Sequence, residues 1–303
     1  MVVLIGEALV DLIDGKAYAG GCQFNASLSA RRLGVPVTLL DHISTDAYGV
    51  QIAGRLEKEG IVVPEAFLHD PRPTMYSKVV LDAKGQATYV FKTEGTATLG
   101  YDAKELEAAL DGLKDVEAIL IGSVAIMLPP ASLAITKAVK AYKKKHPEVT
   151  IFLDPNVRPS LIHDQNAYRS WMKDVIRMAD MIKMSDEDLA YLMGTGSYEG
   201  DLKALHELNP CELVITRGAK GSEWHRREKV FKAPAGKIKI VDTVGAGDTF
   251  NGALLRSLHV LGKKASAYTD EECEEALSIA ARAADINCTR RGCDPPTAKE
   301  LGL

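Results

Sequence analysis

The chain has 303 residues, of which 46% are hydrophobic, and its 37 basic and 41 acidic residues give a formal net charge of −4. This length suits either two domains or one large α/β domain. The well-mixed charges exclude the basic patch of a nucleic-acid-binding protein and predict no membrane-surface binding. The five cysteines form no Cys-x-x-Cys pair, so neither a disulfide framework nor a zinc site is predicted. We therefore expect a protein of the reducing cytoplasm.

The N-terminal segment predicts a buried strand followed by acids. Residues 2–6 form a continuous apolar run, which is typical of a strand buried on both faces of a parallel sheet. Residues 1–13 also carry acids and lack a basic start, which indicates folded structure rather than a signal peptide. Glu7 and Asp11 follow the run, at the edge where open α/β sheets bind ligands. These acids are either site residues or ordinary loop acids.

A glycine pair precedes the first predicted helix. Gly20 and Gly21 lie directly before a helical pattern over 22–33 that carries Asn25. Two consecutive glycines let a ligand come close to the backbone because neither carries a Cβ. The pair therefore predicts a binding loop beside Asn25.

Residues 74–91 have the pattern of a β-hairpin. Their alternation runs to a turn at 82–85 and resumes from residue 86. Together with residues 12–19, the hairpin can form a small antiparallel sheet apart from the main one.

The remainder of the chain alternates between strand and helix patterns. Such alternation predicts a doubly wound, mainly parallel sheet with helices on both faces. No internal repeat or interdomain linker interrupts it. Strand candidates lie at 118–122, 149–153, 181–184 and 212–216, and helical segments lie near 103–113, 130–145, 165–179, 186–193 and 270–287.

Residues 242–250 read Asp-Thr-Val-Gly-Ala-Gly-Asp-Thr-Phe and join a predicted strand at 237–241 to a helical pattern. Gly245, Ala246 and Gly247 are small and lie where a helix begins, so free N–H groups and the helix dipole favour a phosphate there. Asp248 would repel a phosphate. It is either a simple first-turn acid or a general base beside the phosphate that moves.

This stretch resembles the C-terminal signature of the ribokinase/fructokinase (PfkB-type) carbohydrate kinases, in which the aspartate of Gly-Ala-Gly-Asp is the catalytic base. The resemblance implies ATP-dependent phosphorylation of a sugar hydroxyl. It also implies one ribokinase-like α/β domain over 1–303, with a small antiparallel β lid from 12–20 and 72–95 that keeps water out. No Gly-x-x-x-x-Gly-Lys-Ser/Thr loop is present, which excludes a P-loop kinase.

The resemblance assigns the acceptor site residue by residue. In the family, the positions of Asp11, Gly20, Gly21 and Asn25 hold sugar hydroxyls, and Arg158 lies in a segment that approaches the phosphates. The chain departs from the family inside this motif. Cys22, Gln23 and Phe24 stand where fructokinase-like members have small residues and proline, which leaves the identity of the sugar open.

The resemblance also implies a nucleotide site and a metal site. Mg²⁺ would act through water on Asp188, although an acid at a helix start also serves as a cap. K⁺ could bind backbone oxygens near Asp242, Val244 and Gly292. The expected nucleotide-side residues are Asn156, Lys183, Thr216, Gly218, Lys220, Gly221, Thr243, Gly247 and Ala280.

The acceptor stays open within this family. Fructose is the first choice, from the fructokinase-like segments at 6–7, 154–159 and 183–188. The alternatives are 2-keto-3-deoxygluconate, ribose or a nucleoside. Outside the family's chemistry, the chain could be a non-catalytic sugar- or nucleotide-binding regulator, or a hydrolase that uses Asp248 to activate water. We expect a monomer or a homodimer.

Overall fold

The computed structural model describes residues 1–13, 15–81, 87–226 and 229–303. Within these ranges the chain forms an eight-stranded sheet flanked by helices and a separate four-stranded sheet. The predicted hairpin turn at 82–85 lies outside the described residues. Among the helices in the described ranges, none is both long enough and apolar enough to cross a membrane.

The elements alternate between strand and helix along most of the chain. The strands are β1 (Val2–Ile5), β2 (Leu9–Ile13), β3 (Lys16–Gly20), β4 (Val37–Leu40), β5 (Tyr76–Leu81), β6 (Ala87–Lys92), β7 (Ala118–Gly122), β8 (Thr150–Asp154), β9 (Met181–Ser185), β10 (Glu212–Thr216), β11 (Ser222–Arg226) and β12 (Lys229–Ala233). The helices are α1 (Cys22–Arg32), α2 (Ala47–Glu59), α3 (Ala103–Gly112), α4 (Ser123–Met127), α5 (Ala131–Lys145), α6 (Gln165–Ile176), α7 (Asp186–Met193), α8 (Tyr198–Leu208), α9 (Ala246–Leu261), α10 (Asp270–Cys288) and α11 (Ala298–Leu301).

The large sheet has the order β12-β11-β10-β9-β8-β7-β1-β4. The pairs from β4 through β10 are parallel, and β11 and β12 add an antiparallel edge. The apolar runs of these strands are buried on both faces, as a parallel sheet between two helical layers requires. In β1, for example, Val2 and Leu4 face one core, and Val3 and Ile5 face the other. The predicted doubly wound sheet is confirmed.

Each face of the sheet is covered by its own set of helices. Helices α1, α9 and α10 pack on one face through side chains such as Phe24, Phe250 and Leu277. On the other face, α3 and α5 contribute Leu106 and Ile135. After β1 the chain builds outward to β4 and then returns to the opposite side of β1 with β7. Such a reversal of strand order is where open α/β sheets bind ligands.

The small sheet has the order β3-β2-β5-β6. It contains the expected antiparallel pairs β2–β3 and β5–β6. Its centre is a parallel pair, β2–β5, so the sheet is mixed. Asp11 lies in β2 opposite both Tyr18 and Ser77, which places this acid in the middle of the sheet.

The predicted strand at 237–241 is wrong, since these residues form no strand. Their alternation buries neither face, because Ile240 and Val241 are 62% and 58% exposed. Instead of pairing with a strand, the Val241 N–H donates to the Cys288 carbonyl at the end of α10 (2.8 Å). The edge strands β11 and β12 and helix α8 have no counterpart in the sequence prediction.

Close packing of α1 on α9 fixes the position of the candidate base. Gly252 of α9 faces α1, where an added Cβ would lie 2.3 Å from the Ser29 Cβ. The Ser29 hydroxyl donates to the Thr249 carbonyl across the same contact (2.9 Å). Because this approach needs a residue without a side chain, Gly252 determines how close Asn25 on α1 can come to Asp248 on α9.

Two helix-interior glycines provide a test of this contact. Alanine is the better helix former by about 1 kcal/mol, so Gly→Ala in an open position should stabilise the fold slightly. Gly54 in α2 has no neighbour within 4 Å of an added Cβ, whereas Gly252 has three closer than 3 Å. We expect Gly252→Ala to lower the free energy of unfolding by about 1–3 kcal/mol through overpacking, and Gly54→Ala to raise it or leave it unchanged. Urea unfolding of both variants measures this, and equal effects would contradict the role assigned to Gly252.

Candidate active site

A cavity of about 860 Å³ lies at the carboxyl ends of the parallel strands. The loops after β1, β7, β8, β9 and β10 and the start of α9 enclose it on one side, and β2, β5 and β6 enclose it on the other. Its lining includes Glu7, Leu9, Asp11, Gly21, Cys22, Asn25, Ser77, Phe91, Val124, Asn156, Arg158, Lys183, Asp188, Thr216, Thr243, Gly245, Ala246, Gly247 and Asp248. Most residues predicted from separate motifs therefore meet in one place.

Asp248 is a buried carboxylate in the first turn of α9. Its Oδ2 accepts a hydrogen bond from the Asn25 amide at 2.8 Å. Burial raises the pKa of Asp248 to about 6, against the opposing effects of the Asn25 hydrogen bond and the Lys183 charge. A carboxylate with a pKa near neutrality suits proton abstraction, because it is ionised at neutral pH and still accepts a proton.

The loop before α9 has the backbone of the predicted anion site, except at Ala246, and anion binding stays a prediction. Gly245 has φ 74° and an added Cβ would lie 2.4 Å from the Cys293 sulfur, so this position requires glycine. The Ala246 N–H donates to the Thr243 carbonyl (3.2 Å), which removes it from the set of free donors. Within the described part of the chain, no group accepts a hydrogen bond from the N–H of Gly247 or Asp248, so these two N–H groups are available to bind an anion.

Lys183 lies directly beneath this loop. Its Nζ would be 2.9 Å from a Cβ on Gly247, and it is 3.0 Å from Asp154 Oδ2. The same oxygen accepts from Asn251 Nδ2 at 2.6 Å. Burial opposes the charge of Lys183, but the Asp154 carboxylate outweighs it and raises the lysine pKa. Lys183 is thus a permanent cation held under the anion site.

The residues predicted to bind the acceptor lie around Asp11. Its Oδ1 accepts from the Ser77 hydroxyl, and its Oδ2 would be 2.7 Å from a Cβ on Gly20. Gly21 has φ 104°, and a Cβ there would lie 2.5 Å from the Glu7 carbonyl. Both glycines therefore make room for oxygens of the protein itself, and the predicted approach of a ligand to this backbone stays a prediction. Burial raises the pKa of Asp11, since the Ser77 hydrogen bond and the Arg158 charge only partly offset it.

Asn156 and Arg158 are brought together differently from the prediction. The Asn156 Oδ1 accepts from the Arg158 guanidinium, and its Nδ2 donates to the Cys22 sulfur (2.7 Å). Asn156 therefore anchors the arginine, and the Cys22 sulfur engages one N–H of its amide. Burial opposes the charge of Arg158, but the nearby groups, which include Glu7 and Asp248, outweigh burial and raise its pKa.

Asp188 closes a capping box at the start of α7. Its Oδ2 accepts from the Ser185 N–H (3.1 Å) and its Oδ1 accepts from the Val157 N–H (2.9 Å). Each oxygen keeps a second lone pair and the residue lines the cavity. This donor set fits Mg²⁺ held through water, since that ion keeps several waters and needs only one or two carboxylates.

The predicted nucleotide loop is only partly in the cavity. Thr216 ends β10 and lines the cavity, whereas Gly218, Lys220 and Gly221 form a tight turn beyond it. The assignment of Ala280 is wrong, because this residue is 0% exposed in the core between α10 and the sheet. Helix α10 could contact a ligand only through side chains that are more exposed than Ala280.

The three residues predicted around a monovalent cation are joined by one side chain. Asp242 accepts from the Val244 N–H at 3.0 Å and from the Gly292 N–H at 2.8 Å. The Val244 carbonyl already accepts from the Asn287 amide (2.8 Å). This loop has a clear structural role, and K⁺ binding stays a prediction.

Asp154, Asn251 and Ser123 are among the site residues that have no assignment from the sequence. Asp154 neutralises Lys183, Asn251 donates to the same Asp154 oxygen, and Ser123 lies 3.2 Å from the Cys22 sulfur. For Asp154 a signal exists, since an acid directly after an apolar strand marks the ligand edge of the sheet. Ser123 and Asn251 carry no such signal.

Comparison with known proteins gives one consistent result. Residues 3–300 match the model of the pfkB family carbohydrate kinase. A fructokinase of Rhizobium leguminosarum bv. trifolii is 32% identical over 286 residues, which cover 90% of this chain and 85% of that protein. Fructokinase-1 of Oryza sativa subsp. japonica is 26% identical, with 99% and 95% covered.

Solved structures share the fold at lower identity. A fructokinase with bound ATP from Xylella fastidiosa superposes with a TM-score of 0.87 at 21% identity, covering 99% of this chain and 96% of that one. An aminoimidazole riboside kinase from Salmonella enterica, complexed with aminoimidazole riboside and an ATP analog, gives 0.84 at 21% identity, covering 100% and 99%. The fold predicted from the sequence is thereby confirmed.

The buried Asp248 carboxylate should weaken the fold at neutral pH. Its pKa is about 6 in the folded protein against 3.8 for an unperturbed aspartate, so the folded state binds the proton more tightly. The free energy of unfolding of the wild type therefore falls as pH rises from the unfolded to the folded pKa of Asp248, by up to about 3 kcal/mol. We expect the stability of Asp248→Asn relative to wild type to increase between about pH 4 and about pH 7 and then stay constant.

Urea unfolding at several pH values measures this difference. Glu199→Gln is the matched control, because Glu199 is also a first-turn acid but is exposed on α8. A difference between Asp248→Asn and wild type that stays constant across this range would contradict the raised pKa.

Proposed function

Because the chain belongs to the pfkB family of carbohydrate kinases, we propose that it transfers the γ-phosphate of ATP to a hydroxymethyl group of fructose. The observation that carries this proposal is the Asp248 carboxylate, buried between the acceptor residues on α1 and the anion site at the start of α9. A base in this position faces both substrates of a phosphoryl transfer.

The acceptor sugar would bind between the two sheets. Asp11 has an oxygen facing the space left by Gly20, and it lines the same cavity as Asn25 and Arg158. A carboxylate accepts hydrogen bonds from sugar hydroxyls, and a guanidinium donates to sugar oxygens. The acceptor would therefore be held at several points, with one hydroxymethyl group directed at Asp248.

Transfer then needs one proton and one phosphoryl group to move. The Asp248 carboxylate takes the proton from the hydroxymethyl oxygen while that oxygen bonds to the γ-phosphorus. The bond from the γ-phosphorus to the bridging oxygen breaks, and ADP leaves with that electron pair. The neutral Asp248 carboxyl group later returns its proton to solvent, so atoms and charge balance.

The groups beneath the nucleotide would stabilise the charge of the transferring phosphoryl group. The N–H groups of Gly247 and Asp248 are free at the start of α9, and the Lys183 ammonium lies under Gly247. Donors that are already in place need no reorganisation during the reaction, which is why such sites lower the barrier. Little covalent chemistry is left for the protein in phosphoryl transfer.

ATP would extend from this point across the ends of β9 and β10. Thr216 lines the cavity at the end of β10, and Ile240 and Val241 offer an exposed apolar surface beside the end of α10. This surface is a better candidate for the adenine contact than the buried Ala280. Mg²⁺ would bind through water near Asp188 and neutralise phosphate charge, and K⁺ near Asp242 remains part of the proposal.

The small sheet would act as a cover over the acceptor. Leu9, Ser77 and Phe91 from three of its strands line the cavity opposite the main sheet. Excluding water favours the sugar over hydrolysis of ATP. The presence of this cover argues against the hydrolase alternative, and the complete Gly-Ala-Gly-Asp loop argues against a non-catalytic regulator.

Fructose is supported by the fructokinases among the curated relatives, whose identities of 26–32% leave other acceptors open. The direct experiment measures ADP formation by the purified protein with fructose, ribose, 2-keto-3-deoxygluconate and a nucleoside, beside a control without acceptor. The proposal expects the highest kcat/KM with fructose. If the protein phosphorylates only one of the other acceptors, that acceptor replaces fructose in the proposal. ATP hydrolysis that occurs only without an acceptor would contradict the proposed kinase function.

Asp11 should act on the sugar and not on ATP. A hydrogen bond to a charged group contributes about 1.5–3 kcal/mol, so Asp11→Ala should raise the acceptor KM about ten- to a hundred-fold and leave the ATP KM unchanged. Steady-state kinetics with each substrate varied in turn measures both constants. Equal effects on the two KM values would remove Asp11 from the acceptor site.

Asp248→Asn should fold, bind ATP and lose turnover. Asparagine keeps the size of the side chain and the backbone N–H but cannot take the proton, and general-base catalysis contributes about 10²–10⁴-fold. We expect kcat to fall at least about a hundred-fold with little change in acceptor KM. A kcat within a few-fold of wild type would show that Asp248 is not the base.

A further inference from the structure

The thiol of Cys22 occupies an unusual place in the candidate site. Cys22 is the first residue of α1, is 8% exposed and lines the large cavity. Its sulfur lies 2.7 Å from Asn156 Nδ2, 3.2 Å from Ser123 Oγ and 3.7 Å from an Arg158 nitrogen. Three separate loops, after β7, after β8 and before α1, therefore meet at one sulfur atom.

Two of these loops adopt a conformation that is rare for their residue types. Ser123 has φ 52° and Asn156 has φ 40°, both in the left-handed region. Such conformations cost free energy and persist only where surrounding contacts hold them. Both residues contact the Cys22 sulfur, which makes that sulfur one of the holding contacts.

The surroundings of Cys22 favour its neutral thiol. Burial raises the pKa of Cys22 well above its usual range, and the Asp248 and Glu7 charges raise it further. A protonated thiol donates to the Ser123 hydroxyl and accepts from the Asn156 amide at the same time. The amide of Asn156 is thereby oriented, with its oxygen toward the Arg158 guanidinium.

Arg158 is consequently held near Glu7, Asp248 and Asp188, three acids whose charges contribute to its raised pKa. A guanidinium fixed in this way would donate hydrogen bonds to the oxygens of a neutral polyol beside Asp248. A mobile guanidinium would instead turn toward a negatively charged acceptor, because an ion pair with a carboxylate is its strongest available contact.

We propose that Cys22 is a positioning residue that sets acceptor specificity: its thiol orients Asn156, which fixes Arg158 and favours neutral sugars over sugar acids. The inference rests on the proposed sugar kinase function and deepens it. It also gives a physical role to the position at which this chain departs from the small residue of fructokinase-like members.

Kinetics of Cys22→Ala and Cys22→Ser test the proposal. Loss of one neutral hydrogen bond should lower kcat/KM for fructose about five-fold or more, mainly through KM, with the ATP KM unchanged. The kcat/KM ratio of 2-keto-3-deoxygluconate to fructose should rise several-fold. Serine can still donate to Ser123 and accept from Asn156, so Cys22→Ser should restore most of the wild-type ratio.

Cys273→Ala is the matched control, since it removes a buried thiol from the α10 core, away from the cavity lining. A merely structural effect would lower thermal stability in both alanine variants and leave the acceptor ratio unchanged. An unchanged ratio in folded Cys22→Ala would overturn the proposal, and so would an equal change in Cys273→Ala.

Crystal structures of wild type and Cys22→Ala separate this inference from the proposed function. We expect the Asn156 amide and the Arg158 guanidinium to move when the thiol is absent. This readout needs no turnover, so it stands even if the wild-type protein phosphorylates none of the sugars, a result that would reject the proposed function alone. An unmoved guanidinium would overturn the positioning role.

Discussion

The site depends on one constraint, a carboxylate buried at the first turn of α9. Burial alone would make Asp248 neutral, and its pKa of about 6 reflects the groups that oppose burial. The Asn25 amide donates to it directly at 2.8 Å, while Lys183 and Arg158 supply positive charge nearby. The close α1–α9 contact at Gly252 keeps Asn25 and Asp248 within hydrogen-bond distance, because a wider separation of the two helices would break this bond. A base that is ionised yet still basic results from this balance.

The parallel sheet supplies the other groups. Because the carboxyl ends of parallel strands share one edge, loops far apart in sequence meet there. Asp154 at the end of β8 and Lys183 in β9 thus form a buried ion pair under the start of α9. The Lys183 ammonium of that pair lies where a phosphate would bind in the proposed reaction, and its counter-ion Asp154 is buried. Buried charges persist in proteins only when paired and hydrogen-bonded, and Asn251 completes the hydrogen bonding of Asp154.

The sequence allows prediction of those features that have local signatures. Asp248 and the small residues before it form a continuous motif, and the apolar runs define the parallel sheet. Contacts between distant residues have no such signature, so the Asp154–Asn251 pairing and the use of the Asn156 amide could not be foreseen. The strand predicted at 237–241 failed because alternation alone does not say whether a second strand or a covering layer is present. Ala280 failed for a related reason, since a small residue on a helix suits a core as well as a ligand.

The most direct test of the central claim is the pH dependence of kcat/KM for the acceptor, in wild type and in Asn25→Ala. A base must be ionised, so wild-type activity should fall as pH drops through about 6, the pKa of Asp248 in the free enzyme. The Asn25 hydrogen bond lowers that pKa, so its removal should move the acidic limb to higher pH. An acidic limb at the same pH in both proteins, or no limb above about pH 5 in wild type, would contradict a buried Asp248 base tuned by Asn25.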